Sequence, residues 1–117
     1  MKNNNCIFCK IAKKEVSAEI LKETDNFIAI KDSHPITEGH TLIIPKKHFV
    51  TILDIPNTLG SEFLKLTKEI ASELMDRKLG DGFNLLMNNL ECAGQVVMHA
   101  HLHIVPRKEN DGLKITG

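Results

Sequence analysis

The chain has 117 residues, 42% of them hydrophobic, which suits one globular domain over residues 1–117 and excludes wholesale disorder. Its fifteen basic and fifteen acidic residues balance, so it lacks the basic surface that a nucleic-acid polymer would bind. No apolar run approaches the ~20 residues that cross a bilayer, and residues 1–9 contain no apolar signal-peptide core. We therefore expect a cytoplasmic protein with neither a membrane nor a nucleic acid as its partner.

The first half of the chain predicts a short helix, a hairpin and a third strand. Apolar residues within 7–14 follow helical spacing. Residues 18–23 and 26–31 have strand composition and are joined by a turn-forming Thr-Asp-Asn segment, which favours a β-hairpin. Residues 40–45 predict a third strand that ends at Pro45.

A long helix is predicted from Asn57 to Leu79. Asn57 or Thr58 would cap its first turn, and Gly80 stands where a C-terminal cap belongs. Its apolar residues recur every three or four positions and form one stripe: Leu59, Phe63, Leu66, Ile70 and Leu74.

Two further strands are predicted over residues 83–89 and 96–105, the second ending at Pro106, and residues 108–117 predict a C-terminal arm. Strands outnumber crossover helices, which indicates an α+β fold with an antiparallel sheet, one long helix on one face and a short N-terminal helix. The open edges of such a sheet favour a dimer.

Three histidines alternate with apolar residues in the last predicted strand. Because strand side chains alternate between faces, His99, His101 and His103 would share one face, and the intervening residues would face the core. The first and third would lie about 13 Å apart, too far to share one zinc ion. A solvated face and a chelating pair are alternatives, but we favour acid–base or nucleophilic chemistry, which suits imidazole. The core-facing set would be Met98, Ala100, Leu102 and Ile104.

The loop before this strand has the residues that an anion site without arginine would need. Gly94 permits close approach of the backbone, and Asn88 and Gln95 carry neutral amides. The loop and the aligned histidines could together hold and attack a phosphate, although an ordinary connecting loop is the alternative.

Several segments together resemble the histidine-triad family. Residues 95–105 are similar to its His-x-His-x-His signature, and residues 38–48, with Gly-His and Pro-Lys-Lys-His, resemble its central strand. Residues 6–11, 81–89 and 106–107 are similar as well, so the resemblance covers nearly the whole chain. The most similar branch is that of the small nucleotide-binding hydrolases in their bacterial-type form.

The resemblance implies a homodimer that binds purine nucleoside monophosphates. It also implies cleavage of the bond between the α-phosphate and a leaving group, as in nucleoside phosphoramidates, through a nucleotidyl-histidine intermediate. His101 matches the nucleophile, His103 the phosphate-contacting histidine, His40 a supporting histidine, and His99 the first of the triad.

Further positions match the nucleotide-binding residues of the family. Asp32 matches the acid that binds the ribose hydroxyls. The phosphate loop corresponds to Asn88, Gly94 and Gln95, and the apolar positions around the base are Ile7, Phe8, Ile11, Ile30 and Leu42.

The Cys6-x-x-Cys9 spacing suits a zinc site, although redox use or chance are alternatives. Bacterial-type members pair two such cysteines with the histidine of the Pro-Lys-Lys-His segment and the first triad histidine. The resemblance therefore implies one structural zinc per protomer, held by Cys6, Cys9, His48 and His99. This assignment leaves the other two triad histidines for phosphate.

Val96 departs from the family, whose members commonly carry a polar residue there. Valine cannot donate a proton to a leaving group, which keeps open a protein that binds AMP or GMP with little turnover. A zinc-dependent hydrolase is a third hypothesis, but it would need an open coordination position.

Overall fold

A five-stranded antiparallel sheet with strand order β1-β2-β3-β5-β4 organises the computed structural model, which describes residues 5–115. This confirms the predicted α+β fold. Within the described residues, neither helix has the length and apolar character needed to cross a membrane. The bounds are α1 Ile7–Ala12, β1 Ile20–Glu23, β2 Phe27–Lys31, β3 Thr41–Pro45, α2 Gly60–Asp76, β4 Gly82–Leu86 and β5 Leu102–Arg107.

The two faces of the sheet carry different partners because strand side chains alternate. One face packs against the apolar stripe of α2, and the predicted position of the long helix is thereby confirmed. The opposite face packs against α1 and leaves room for a cavity. The core on the α2 side contains Phe27, Ala29, Ile43, Leu66, Ile70, Ala71, Leu74 and Ile104; that on the α1 side contains Phe8, Ile11, Ile28, Ile30, Leu42 and Ile44.

The long helix is shorter than predicted at both ends. A separate 3₁₀ turn, Asn57–Leu59, precedes α2, and neither Asn57 nor Thr58 caps the helix. At the C-terminus the chain turns at Lys78, whose φ is 59°, and not at glycine. The amide of Leu79 bonds the carbonyl of Leu74 at 3.1 Å, which completes a Schellman closure.

Gly80 serves packing and does not cap the helix, contrary to the prediction. A Cβ at this position would lie 2.9 Å from the backbone nitrogen of Arg107. The chain between α2 and β4 therefore passes too close to β5 for any side chain.

The predicted strand over residues 96–105 is wrong in its first half, because only Leu102–Arg107 forms β5. The chain bends at 97–99, and the amide of Ala100 bonds the carbonyl of Phe49, which lies beyond the end of β3. The expected alternation also fails there: Met98 is 38% exposed, whereas His99 is fully buried.

Pro106 lies inside β5 and does not end it. Since β3 begins at Thr41 opposite Ile104, Pro106 lies past the end of β3, where its missing N–H costs no bond to that strand. The predicted arm starts as a folded turn, in which the Arg107 guanidinium bonds the Asp111 carboxylate at 2.7 Å. Residues 116–117 of that arm, like residues 1–4, lie outside the described residues.

Candidate active site and metal cluster

A cavity of about 1120 Å³ lies between α1 and the sheet face opposite α2. It is large enough for a mononucleotide, since ligand sites commonly measure ~300–1,000 Å³. The structure brings most of the predicted site residues to its wall: Ile7, Phe8, Ile11, Ile30, Asp32, His40, Leu42, Asn88, Gly94, His101 and His103. It places Gln95 and His99 elsewhere.

The ring of His101 is held by a neighbouring carbonyl. Its Nδ1 lies 2.8 Å from the carbonyl oxygen of His99, which can only accept a hydrogen bond, so the ring proton is on Nδ1. Phe8 packs edge-on against the ring with the centroids 5.0 Å apart. The second nitrogen, Nε2, has no hydrogen-bond partner among residues 5–115 and consequently offers a free electron pair on a cavity-lining side chain.

His40 and His103 form a hydrogen-bonded pair whose direction is set by the backbone. The amide of Ile36 donates to Nδ1 of His40 at 3.3 Å, so His40 carries its proton on Nε2. That nitrogen lies 2.9 Å from Nδ1 of His103 and donates to it. His103 must therefore carry its own proton on Nε2, where it can donate to a ligand.

Burial keeps this pair neutral. Desolvation, with the nearby His101 and His40 rings, lowers the pKa of His103 to about 4. Burial also lowers the pKa of His40, although the Asp32 carboxylate opposes this effect. Near neutral pH both rings are uncharged, as the directional hydrogen bonds between them require.

Asp32 lines the cavity beside the histidine pair. Its Oδ2 is 3.5 Å from Nε2 of His40, and its Oδ1 accepts the backbone N–H of His34 at 2.9 Å. The carboxylate is therefore oriented by groups on both sides. These contacts leave electron pairs that can accept further hydrogen bonds.

The loop that precedes the triad, residues 88–96, is tightly wound. Gly94 has φ 98°, and a Cβ there would lie 3.2 Å from the amide nitrogen of Asn88. That amide donates to the carbonyl of Gly94 at 3.3 Å. Val96 follows with 88% of its surface exposed, at the cavity wall. Glycine is thus required where the loop turns toward the cavity.

Gln95 was assigned to the phosphate loop by resemblance, but its side chain points away from the cavity. It is 3% exposed, and its amide bonds only backbone groups of the protein. Both of its N–H donors are used. A direct side-chain contact with phosphate therefore finds no support in the structure.

Four side chains, named here the Cys–His cluster, meet beside α1: Cys6, Cys9, His48 and His99. The Cys9 Sγ lies 3.1 Å from Nδ1 of His48 and 3.5 Å from Nδ1 of His99. Nδ1 of His99 is 3.3 Å from the Cys6 Sγ and 3.2 Å from Nδ1 of His48.

These distances fit a tetrahedral metal site. Ligand atoms on one zinc ion stand about 3.3–3.8 Å apart, given the usual Zn–N and Zn–S bonds. Nε2 of His99 lies 2.8 Å from the Pro45 carbonyl, which puts the ring proton there and turns the Nδ1 electron pair into the cluster. Burial and the Cys6 thiol raise the pKa of Cys9 to about 11, so its thiolate needs a nearby cation.

The sequence reasoning missed part of the cavity wall. Leu86 and Val105 lie on the same sheet face as His103, and strand alternation could have identified them. Residues 33–36 carried no such signal, and His34 is exposed yet lines the cavity. The remaining missed positions are Val16, Ser17, Ala18, Glu19, Lys31 and Val97.

The chain is similar to known proteins in sequence and in structure. The family model described as the HIT domain matches residues 13–110. The adenylylsulfatase HINT3 of Arabidopsis thaliana is 41% identical over 110 residues, which are 94% of this chain and 56% of that protein. The chain therefore spans little more than half of that relative.

Two further relatives are matched over a larger share of their own length. The adenosine 5′-monophosphoramidase HNT1 of Candida albicans is 41% identical over 109 residues, which are 90% of this chain and 72% of that protein. The crystal structure of a Zn-bound histidine triad family protein from Mycobacterium smegmatis aligns with a TM-score of 0.87 and 37% identity, covering 95% of this chain and 81% of that one.

Proposed function

The chain belongs to the HIT-domain family, and we propose that it is a nucleotidyl hydrolase of purine nucleoside phosphoramidates or related α-phosphate compounds. The relatives named adenylylsulfatase and adenosine 5′-monophosphoramidase support a nucleotide substrate. The observation that carries the proposal is the ring of His101, whose Nδ1 is bonded to the His99 carbonyl at 2.8 Å and whose Nε2 is left free.

His101 acts as the nucleophile. Its Nε2 attacks the α-phosphorus and bonds to it, while the bond from phosphorus to the leaving group breaks and a departing amine takes up a proton from solvent. The positive charge that develops on the imidazole is stabilised by the His99 carbonyl at Nδ1–H. Water then attacks phosphorus, and the bond from phosphorus to Nε2 of His101 breaks. The neutral ring is restored while the water proton passes to solvent.

Neutral donors hold the phosphoryl oxygens. His103 offers Nε2–H, because its Nδ1 is occupied by His40. Within the described residues, the backbone N–H of Val96 has no hydrogen-bond partner, and it follows directly after the Gly94 turn. Donors aimed at developing charge in a partly enclosed site favour the transition state.

The remainder of the cavity suits a nucleoside. The oriented carboxylate of Asp32 can accept hydrogen bonds from two ribose hydroxyls. An apolar wall formed by α1 and the sheet can receive the base, for which we propose Ile7, Phe8, Ile11, Ile30 and Leu42.

The Cys–His cluster would hold one structural zinc ion per protomer. Bound there, zinc would crosslink α1 to the segments around His48 and His99 and would supply folding energy. Four protein ligands leave no open position for substrate, so the cluster supports a structural role over the zinc-hydrolase hypothesis. A Zn-bound relative supports the same assignment.

We also propose that the protein is a homodimer. α2 packs over β2 and β5, whereas β4 forms an edge of the sheet. Two apolar side chains of β4, Phe83 and Leu85, are 43% and 51% exposed. A second copy that covers this edge would bury them.

The second candidate function is nucleotide binding with little turnover. Val96 favours it, because this exposed side chain at the cavity wall has no proton to give to a departing amine. The same experiment separates the two functions.

The test compares wild type with His101→Asn, in which the new amide can keep the bond to the His99 carbonyl but cannot attack phosphorus. We expect wild type to hydrolyse adenosine 5′-phosphoramidate and the variant to lose about a thousandfold or more in turnover, as removal of a nucleophile does. AMP affinity should be similar in both proteins. An adenylyl adduct on wild type alone, seen by mass spectrometry of the quenched reaction, would identify the intermediate.

Two outcomes would contradict the hydrolase proposal. If both proteins bind AMP and neither turns over phosphoramidate or adenylylsulfate, the protein is a nucleotide-binding protein. If His101→Asn retains turnover, another group is the nucleophile.

A further inference from the structure

The side chain of Gln95 joins three separate pieces of the site. Its Oε1 accepts the backbone N–H of Leu90 at 2.6 Å, and its Nε2 donates to the carbonyls of Val50 at 2.7 Å and Val97 at 3.0 Å. Leu90 starts the tight turn of the phosphate loop, Val97 leads into the triad, and Val50 follows the segment of His48. With 3% of its surface exposed, Gln95 is a buried crosslink between them.

One end of this crosslink lies on a strained residue. Leu90 has φ 75° and ψ 161°, a region of backbone space that is essentially reserved for glycine. Its side chain is 54% exposed, so packing of the side chain does not explain the conformation. The bond from its N–H to Oε1 of the buried Gln95 does hold the backbone there, since breaking it would leave the Oε1 of Gln95 buried without a partner.

The strained conformation sets the course of the loop. With Leu90 in this conformation, its carbonyl accepts the amides of Ala93 and Gln95, each at 3.1 Å. These bonds close the turn that carries Gly94 to the cavity wall and direct the chain into Val96. A relaxed Leu90 would release both bonds and shift the backbone groups that face the cavity.

We propose that Gln95 is a positioning residue for phosphate recognition, a role that rests on the proposed function. It holds Leu90 in a glycine-like conformation, so that the backbone N–H of Val96 is placed to receive the α-phosphate, while Gly94, whose own N–H bonds the Glu91 carbonyl at 2.9 Å, leaves room for it at the cavity wall. It acts through the backbone and does not touch the substrate.

The test uses a double-mutant cycle. Gln95→Met keeps the size of the side chain but removes all three hydrogen bonds, and Leu90→Gly lets the backbone adopt the same conformation without strain. The readout is the ratio of the affinities for AMP and adenosine, measured by calorimetry, because only AMP has a phosphate. Phosphoramidate turnover is measured alongside.

We expect Gln95→Met to lower the AMP-to-adenosine ratio and kcat by about tenfold or more, the scale of misplaced binding groups, while adenosine affinity stays unchanged. Leu90→Gly alone should resemble wild type. The double variant should recover at least about threefold over Gln95→Met, a coupling that neighbouring residues acting as one unit show. A merely destabilised fold would lower the affinities for both ligands and would not be rescued by glycine.

A second variant tests the same inference without disturbing the core. Leu90→Val keeps Gln95 but makes the positive φ harder to hold, because a β-branched side chain tolerates it least. It should lower the AMP-to-adenosine ratio without changing adenosine affinity. This variant decides the question if Gln95→Met does not fold.

The inference is overturned if Gln95→Met retains the wild-type ratio, if Leu90→Gly fails to rescue it, or if Leu90→Val behaves as wild type. A wild type that discriminates AMP from adenosine but hydrolyses nothing would instead count against the proposed hydrolase. Binding and turnover therefore report on the two proposals separately.

Discussion

Three histidines in one short segment differ in role because each ring is oriented by a different backbone or side-chain group. His99 donates from Nε2 to the Pro45 carbonyl and turns Nδ1 into the Cys–His cluster. His101 donates from Nδ1 to the His99 carbonyl and leaves Nε2 free. His103 accepts at Nδ1 from His40 and keeps a proton on Nε2. His99 and His103 thus share the Nε2–H tautomer and His101 has the Nδ1–H tautomer, so that the three rings present an electron pair to the cluster, a proton to the cavity and an electron pair to the cavity, as the proposed roles require.

The low pKa of His103 predicts how the free energy of unfolding depends on pH. Because burial lowers its pKa to about 4 in the folded protein, against about 6.5 when unfolded, the unfolded chain takes up the proton first as the pH falls. Stability is therefore lost between pH ~6.5 and ~4, and it is fully present above that window. We expect wild type to lose about 1 kcal/mol per pH unit more than His103→Asn between pH 6 and 5.

Denaturant unfolding of both proteins at several pH values measures this difference. His99 is buried in both proteins and its pKa does not depend on His103, so its contribution cancels, whereas His40 donates to His103 and the difference therefore reports on the His40–His103 pair. Equal slopes for wild type and His103→Asn would contradict a buried, neutral His103.

At the residue scale, the sequence identifies the reactive side chains but not their hydrogen bonds. The triad, His40 and Asp32 are visible from the pattern and from the family resemblance. The structure places His99 in the Cys–His cluster and the others at the cavity wall. Which nitrogen carries each proton depends on carbonyls such as those of Pro45 and His99, which periodicity does not place. For the same reason the side chain of Gln95, an amide in a loop, gave no sign that it points inward.

At the scale of elements, α1 combines two tasks. Its first turn carries the cysteines of the Cys–His cluster, and the Cys6 Sγ also caps the helix by accepting the amide of Cys9 at 3.4 Å. Its next residues line the cavity, and Phe8 contacts the rings of His99 and His101. Loss of a metal from the cluster would therefore loosen the wall of the proposed nucleotide site.

Metal analysis of protein purified without a histidine tag tests whether the cluster holds the metal and stabilises the fold. We expect one zinc per protomer in wild type, and loss of zinc in Cys9→Ser with a fall in the melting temperature of about 5 °C or more, since metal binding contributes folding energy. Cys92→Ser is the matched control, because Cys92 is exposed and outside the cluster. Zinc retained in Cys9→Ser, or absent from wild type, would contradict the assignment.

Strand patterns were the most informative local signals. The hairpin over 18–31 and the strand ending at Pro45 were predicted within about two residues, because turn residues and alternation act locally. The segment 96–101 has a strand pattern but pairs with no strand of the described residues, because the register would place Pro45, the last residue of β3, opposite Ala100, and the amide of Ala100 instead bonds the loop at Phe49. Pairing is a property of two distant segments, and a single pattern does not reveal it.

At the scale of the whole molecule, the sheet separates stability from chemistry. The core against α2 is apolar, with Leu66, Ile70 and Leu74 nearly fully buried. The opposite face supports α1, the cavity and the Cys–His cluster. The two edges of the sheet also differ in charge: β1 exposes Lys22 and Glu23 beside its apolar Ile20 and Leu21, whereas β4 has no charged residue and exposes its apolar side chains further, at 43% and 51%.

This asymmetry predicts that β4, and not β1, forms the dimer contact. Since Leu85 is half exposed on an edge strand, Leu85→Lys would place a charge in an apolar interface and shift the protein to a monomer. Leu21→Lys on the β1 edge, where Leu21 is 38% exposed, is the matched control and should remain a dimer. Light scattering coupled to size-exclusion chromatography measures the mass of each protein. A monomeric wild type, or a dimer that survives Leu85→Lys and dissociates with Leu21→Lys, would show that β4 does not form the contact.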